Sequence, residues 1–263
     1  MNPIIHQHNF SMRLGYEPKR IISLVPSQTE LLYDLGLGDS VAGITKFCVH
    51  PAEWFGSKPR VGGTKTVDID KVKQLQPDLI IANKEENVKE QIEALATICP
   101  VYVSDVNNLE EACQMIDQVG MLTERENGAA IISKNISAKF SRLQQFPKSN
   151  ISCAYLIWRK PYMAAGGDTF INNMLQRCGL QNVLANQSRY PSVSTEDLQK
   201  WDCQLLLLSS EPYPFQQKHM DELQSQLPQT KIILVDGEMF SWYGSRLLKA
   251  PDYFAKLIAE IGA

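Results

Sequence analysis

Phe240, Trp242, Tyr243 and Arg246 fall within the single stretch Met239-Phe240-Ser241-Trp242-Tyr243-Gly244-Ser245-Arg246. Rings supply flat apolar walls, and a guanidinium supplies donors in a rigid fork. Together they suit a flat, conjugated, partly anionic ligand rather than a reaction. Lys46-Phe47-Cys48-Val49-His50-Pro51 sets a thiol and an imidazole two positions apart. A metal site needs three or four converging ligands, and His6, His8 and His219 lie far off in sequence. Phe47 therefore reads as a ligand-contacting ring and the stretch as no metal site. Catalysis finds little support: the chain has no G-x-S-x-G and no H-E-x-x-H. Gly62-Gly63-Thr64-Lys65-Thr66 is not GxxxxGKS/T and Gly166-Gly167 is not GxGxxG, so no nucleotide-phosphate loop is present.

These residues need elements to position them. Arg20 to Val25, Leu79 to Ala82, Val101 to Val103, Ala154 to Ile157, Leu205 to Leu208 and Ile232 to Val235 are short apolar runs that read as strands. Between them Val88, Ile92 and Leu95 recur at helical spacing, as do Ala112, Ile116 and Val119, and Ile171, Met174, Leu175 and Cys178. Strand and helix in alternation predict an α/β fold with mainly parallel sheets. In such sheets the loops after the strands gather at the carboxyl edge, where ligands bind. Phe47, Tyr190 and the Phe240 to Arg246 loop all lie after a strand or before a helix. So does Ser27, in Pro26-Ser27-Gln28-Thr29-Glu30, where Ser27 and Glu30 also have the spacing of a capping box. Trp158 opens a strand-to-helix join whose Gly166-Gly167 pair permits close backbone approach, with Asp168 or Thr169 as the helix cap.

An internal repeat gives the domain plan. Val67-Asp68-Ile69-Asp70-Lys71-Val72, then Leu75 and Leu79-Ile80-Ile81, matches Val193-Ser194-Thr195-Glu196-Asp197-Leu198, then Trp201 and Leu205-Leu206-Leu207. Glu85 and Glu211 follow the two strands at the same place. The pattern predicts two similar α/β lobes. Between them Ala129, Ile132, Ile136, Phe140 and Leu143 form one apolar stripe, predicting a long backbone helix over 123–147 that starts at Thr123-Glu124-Arg125-Glu126 and stops at Pro147. The expected division is 1–122, 123–147 and 148–263.

The composition is that of a globular protein, with 44% hydrophobic and 21% charged residues among 263. A formal net charge of −3 argues against nucleic-acid binding. The residues after Met1 show no signal-peptide apolar core, no cysteine precedes Cys48, and no apolar run is long enough to cross a membrane. The six cysteines lack CxxC spacing and read as reduced, buried thiols. As written, the chain is expected to be a cytoplasmic monomer, not embedded in a membrane, and periplasmic if a leader precedes it.

Arg20 to Leu31, Pro77-Asp78-Leu79-Ile80-Ile81-Ala82 and Val193-Ser194-Thr195-Glu196, in that order, resemble the cobalamin- and iron-chelate-binding proteins of ABC importers. These form the helical-backbone class of periplasmic binding proteins, and the chain is most similar to the vitamin B12-binding branch. The resemblance implies two α/β lobes joined by a long helix, with a metal chelate, cobalamin or a related corrinoid, held in the cleft between lobes as cargo rather than as an intrinsic cofactor. It implies ligand contacts at Phe47, Tyr190 and the loop with Phe240, Trp242, Tyr243 and Arg246; Ser27, Asn83 and Trp158 join them as candidate contacts by their positions at strand ends. Asn83 stands where the cobalamin binder has a Trp. It also implies docking on an ABC permease through Asp70 and Glu196, the pair that the repeat matches. An iron-siderophore or haem ligand is the alternative within the class; a cytosolic transferase-like enzyme on a paired α/β scaffold is the alternative outside it.

Overall fold

The computed structural model describes residues 4–10, 13–145 and 151–262. Its strands and helices run β1 (Ile4–His6), β2 (Ile21–Ser23), α1 (Pro26–Asp34), β3 (Val41–Ile44), α2 (Ala52–Ser57), α3 (Ile69–Gln74), β4 (Leu79–Asn83), α4 (Lys89–Leu95), β5 (Val101–Ser104), α5 (Leu109–Leu122) and α6 (Glu126–Leu143). They continue with β6 (Ser152–Trp158), β7 (Tyr162–Ala164), α7 (Phe170–Arg177), β8 (Gln181–Asn182), β9 (Ser192–Val193), α8 (Thr195–Lys200), β10 (Leu205–Ser209), α9 (Gln217–Gln226), β11 (Lys231–Val235), α10 (Gly237–Ser241) and α11 (Ala250–Ile261). All six apolar runs are strands, and the three helical patterns are α4, α5 and α7.

The chain divides into two compact units. The first holds the residues up to Val106, Glu110–Ile136 and Tyr243–Arg246; the second holds Asn107–Leu109, Ser137–Trp242 and the residues from Leu247 on. The first unit's sheet has the order β1-β5-β4-β2-β3 and every pairing is parallel. β2 and β4 are buried along their whole length. That explains their unbroken apolar sequences, because helices cover both faces of a parallel sheet. β1 is a strand that only two apolar residues announce. The Gln7 side chain ties it down, donating to the Glu111 carbonyl and accepting from the Asp105 N–H, each at 2.9 Å.

The second sheet has the order β11-β10-β6-β7-β9, with β8 also on β6. β10 and β11 run parallel to β6, while β7 turns back antiparallel. Gly166 and Gly167 follow β7 where the chain from Ala185 to Arg189 closes over them. A Cβ on Gly167 would collide with the Ala185 carbonyl, so the close approach expected there is present. Thr169 caps α7, accepting from Asn172 N–H at 3.1 Å; Asp168 instead accepts from the Arg189 N–H.

Two expected helix starts differ. Thr123 does not cap α6: its hydroxyl donates to the Val119 carbonyl at 2.8 Å and finishes α5, Glu124 takes a positive φ of 55°, and α6 begins at Glu126. Phe146 and Pro147, the expected end of that helix, lie outside the described residues. The stripe Ala129, Ile132, Ile136, Phe140 and Leu143 is buried throughout. α1 begins at Pro26 with Val25 as its N-cap and no side-chain cap, so Ser27 and Glu30 form no capping box. Glu30 is drawn instead to Arg246.

Candidate functional site

On the first unit, β2, β3 and β4 deliver three of the expected residues to their carboxyl ends. Phe47, just past β3, is 50% exposed, and the Lys46 ammonium stands 5.1 Å from its ring centroid. The ring is thus free to stack on a flat ligand, with a cation beside it. Its neighbour Cys48 faces inward: Thr29 and Thr45 hydroxyls approach its sulfur at 3.0 and 3.2 Å, and burial pushes its thiol pKa up. Among the described residues no three His, Cys, Asp or Glu side chains cluster as a metal site would require.

Asn83 spends its side chain on the fold. Its Nδ2 donates to the Ser104 carbonyl and hydroxyl at 3.0 and 3.1 Å, and its Oδ1 accepts from the Glu85 and Glu86 N–H groups at 2.8 and 3.0 Å. It shapes the turn after β4 with no donor left over. Ser27 is buried, and the Tyr243–Arg246 segment of the same unit lies against it: a Cβ on Gly244 would stand 2.6 Å from the Ser27 carbonyl. Arg246 closes this contact with a buried ion pair, its Nε donating to Glu30 Oε2 at 2.8 Å. The side chains are 8% and 9% exposed, and the Nε edge of the guanidinium is engaged by Glu30. Tyr243 is buried as well.

On the second unit, Trp158 ends β6 with 41% of its surface exposed and meets Tyr213 edge-on at 5.8 Å between centroids. Arg159 beside it grips the Glu222 carboxylate with one nitrogen on both oxygens, at 2.9 and 2.6 Å. Tyr190 is partly exposed, and the Arg189 guanidinium lies 5.8 Å from its ring. Phe240 does not present a face: it is wholly buried, 5.0 Å from Tyr155 and 4.7 Å from Phe254 between centroids. The reason is its place on α10, a short helix packed against α7 and α11. Trp242 ends α10 and is buried; its indole Nε1 donates to Glu211 Oε1 at 2.9 Å, and the Ser241 hydroxyl donates to the same oxygen at 2.6 Å.

Glu211, two residues past the end of β10, was no candidate on sequence, although the repeat marks it. The signal was a carboxylate after Ser209 and Ser210, just beyond an unbroken run of four leucines where the chain leaves the core. Burial pushes its carboxyl above the ordinary range; Ser241 and Trp242 oppose the shift by donating to it, and Glu238 and Asp236 add to it.

Asp70 and Glu196 occupy matching positions, each in the first turn of the short helix that precedes a central strand. The Asp70 side chain is 87% exposed and Glu196 is exposed. The helices are capped alike, α3 by Asp68 and α8 by Ser194.

Over residues 21–230 the sequence matches the family model of the periplasmic binding proteins. The chain belongs to that family. It is 30% identical over 203 residues to an ABC transporter substrate-binding lipoprotein of Bacillus subtilis, across 73% of this chain and 64% of that protein, thus somewhat under two thirds of that relative's length. A vitamin B12-binding protein of Photorhabdus laumondii is 24% identical over 259 residues, 97% of this chain and 93% of its own. Among solved structures, the periplasmic vitamin B12-binding protein of Vibrio cholerae superposes with a TM-score of 0.77 at 21% identity, covering 93% of this chain and 98% of that one. The periplasmic heme-binding protein from Roseiflexus does so at 0.81 and 20%, covering 93% and 99%. At such identities the superpositions establish the fold: two α/β units, as the repeat implies. Periplasmic binding proteins bind and are not enzymes, which removes the transferase alternative. No helix of this periplasmic binding protein is long and apolar enough to cross a membrane, among the described residues.

Proposed function

We propose that this periplasmic binding protein carries a metal chelate, cobalamin or a related corrinoid, for an ABC importer, as cargo and not as a cofactor. The relation to a vitamin B12-binding protein over 97% of the chain carries the reading. The exposed rings support it. Phe47 on the first unit, and Trp158 and Tyr190 on the second, each have exposed ring surface to offer a ligand. Trp242 and Tyr243, buried in this form, Ser27, Asn83, Phe240 and Arg246 act by holding the loops that surround them. Asp70 and Glu196 are the permease contacts, and the protein works as a monomer.

Binding decides the matter. Cyanocobalamin, hemin and a ferric hydroxamate are titrated into the purified protein and followed by absorbance and calorimetry. Cobalamin is expected to bind at roughly micromolar concentration or tighter. Phe47→Ala and Trp158→Ala are each expected to weaken it about tenfold without changing the melting temperature, since each ring loses buried area and stacking. Binding of hemin or the hydroxamate with none of cobalamin would replace the ligand by the iron-chelate alternative.

Location follows from use. Import places the protein outside the cytoplasmic membrane. The second reading, hand-over of the chelate inside the cell, draws on six free thiols, five of them buried, which suit a reducing compartment. Fractionating the source cells separates the two.

A further inference from the structure

Glu211 stands out among the charged groups near the expected ligand contacts. Two other such groups are already neutralised: Arg246 by Glu30 and Arg159 by Glu222. Glu211 has no Lys, Arg or His partner among the described residues. Its Oε1 accepts from both Ser241 and Trp242, which fixes the carboxylate plane. Its Oε2 makes no hydrogen bond among those residues and is not sealed from solvent. Asp236 and Glu238, on the turn opposite, carry the same sign. The result is an acceptor of fixed direction, poor in solvent and in counter-charge, at the carboxyl edge of the second sheet.

We infer that Glu211 is a specificity residue of the chelate site, selecting ligands whose periphery offers amide N–H groups over ligands whose periphery carries carboxylates. This rests on the function proposed above. An amide N–H placed on Oε2 makes a charge-assisted hydrogen bond in a partly desolvated place, where such bonds are strong. A ligand carboxylate in the same place meets a like charge with no cation between them, and rejection by like charge is how binding sites discriminate near-identical ligands. A corrinoid ring edged with primary amides fits; a porphyrin edged with propionates does not.

The test varies ligand and protein together. Cyanocobalamin, its monocarboxylate derivatives (one peripheral amide hydrolysed to the acid) and hemin are titrated into wild type and Glu211→Gln. Wild type is expected to bind cyanocobalamin at least about tenfold more tightly than one of the monocarboxylates, the worth of one charge-assisted contact. In Glu211→Gln that ratio is expected to fall to within about threefold, because a neutral amide both accepts and donates. The ligand comparison in wild type needs no variant, so a poorly folded Glu211→Gln does not rescue the idea. Equal affinity of wild type for amide and acid forms, an unchanged ratio in a folded Glu211→Gln, or hemin bound more tightly than cyanocobalamin overturns this inference and leaves the chelate reading standing. Failure of wild type to bind any of these ligands strikes the chelate reading itself, and the inference falls with it.

Discussion

Taking away the Arg246 guanidinium leaves Glu30 charged, buried and without its counter-ion. Breaking a buried pair from one side costs more than the pair contributes, because the remaining charge has lost water as well as its partner. Arg246→Met is therefore expected to destabilise the protein by about 3 kcal/mol, and Glu30→Gln/Arg246→Met by clearly less, in urea unfolding. Equal losses in the single and double variants would show the pair to be incidental. Glu211 gives a second measurement at this scale. Its folded-state pKa is raised above the ordinary value of 4.5, so the folded state holds the proton more tightly than the unfolded one. Stability from that proton is present below the ordinary value and is lost as pH rises through the folded pKa. Glu211→Gln cannot titrate. Its melting temperature relative to wild type is expected to rise by about 2 °C between acid and neutral pH. A gap that stays constant with pH removes this account.

Caps distinguish α8 from α1. Ser194 accepts from the Asp197 N–H at 3.1 Å, and Asp197 Oδ2 accepts from the Ser194 N–H at 3.0 Å, so α8 has a complete capping box. Ser27, one residue inside α1, caps nothing. Ser194→Ala is expected to cost about 1 kcal/mol and Ser27→Ala less than about 0.5. Thermal unfolding of both variants checks the contrast, which equal losses would erase. The same contrast shows what sequence can tell. The strands β2, β4, β6 and β10 were legible because each is buried on both faces and so is apolar without interruption. The repeat was legible because cap, acid, short helix and strand are set by local chemistry. Glu30 was misread because its partner lies 216 positions away, and spacing within a helix carries no news of it. The burial of Phe240 was hidden from sequence for a related reason. A ring in a loop-like stretch looks available until the short helix around it turns it toward Tyr155 and Phe254.

At the scale of the molecule, the two capped helices lie on different units and each shows an exposed acid in its first turn, Asp70 on α3 and Glu196 on α8. Each acid also favours its own helix N-terminus, a local effect of a few tenths of a kcal/mol. Docking on a permease would require both at once. Asp70→Lys with Glu196→Lys is expected to weaken complex formation with the cognate permease at least about tenfold while chelate affinity stays the same. Pull-down and calorimetry measure the two separately, and intact complex formation leaves only the helix-dipole role. Order along the chain and membership of a unit do not coincide in this protein: Tyr243–Arg246 completes the first unit although the residues on both sides of it belong to the second. Protein engineering meets that constraint here. A first unit copied from a relative as one continuous stretch ending at Ile136 would arrive without the four residues that lie against α1 and neutralise Glu30. A working chimera has to transplant two segments, the stretch up to Ile136 and the short piece Tyr243–Arg246.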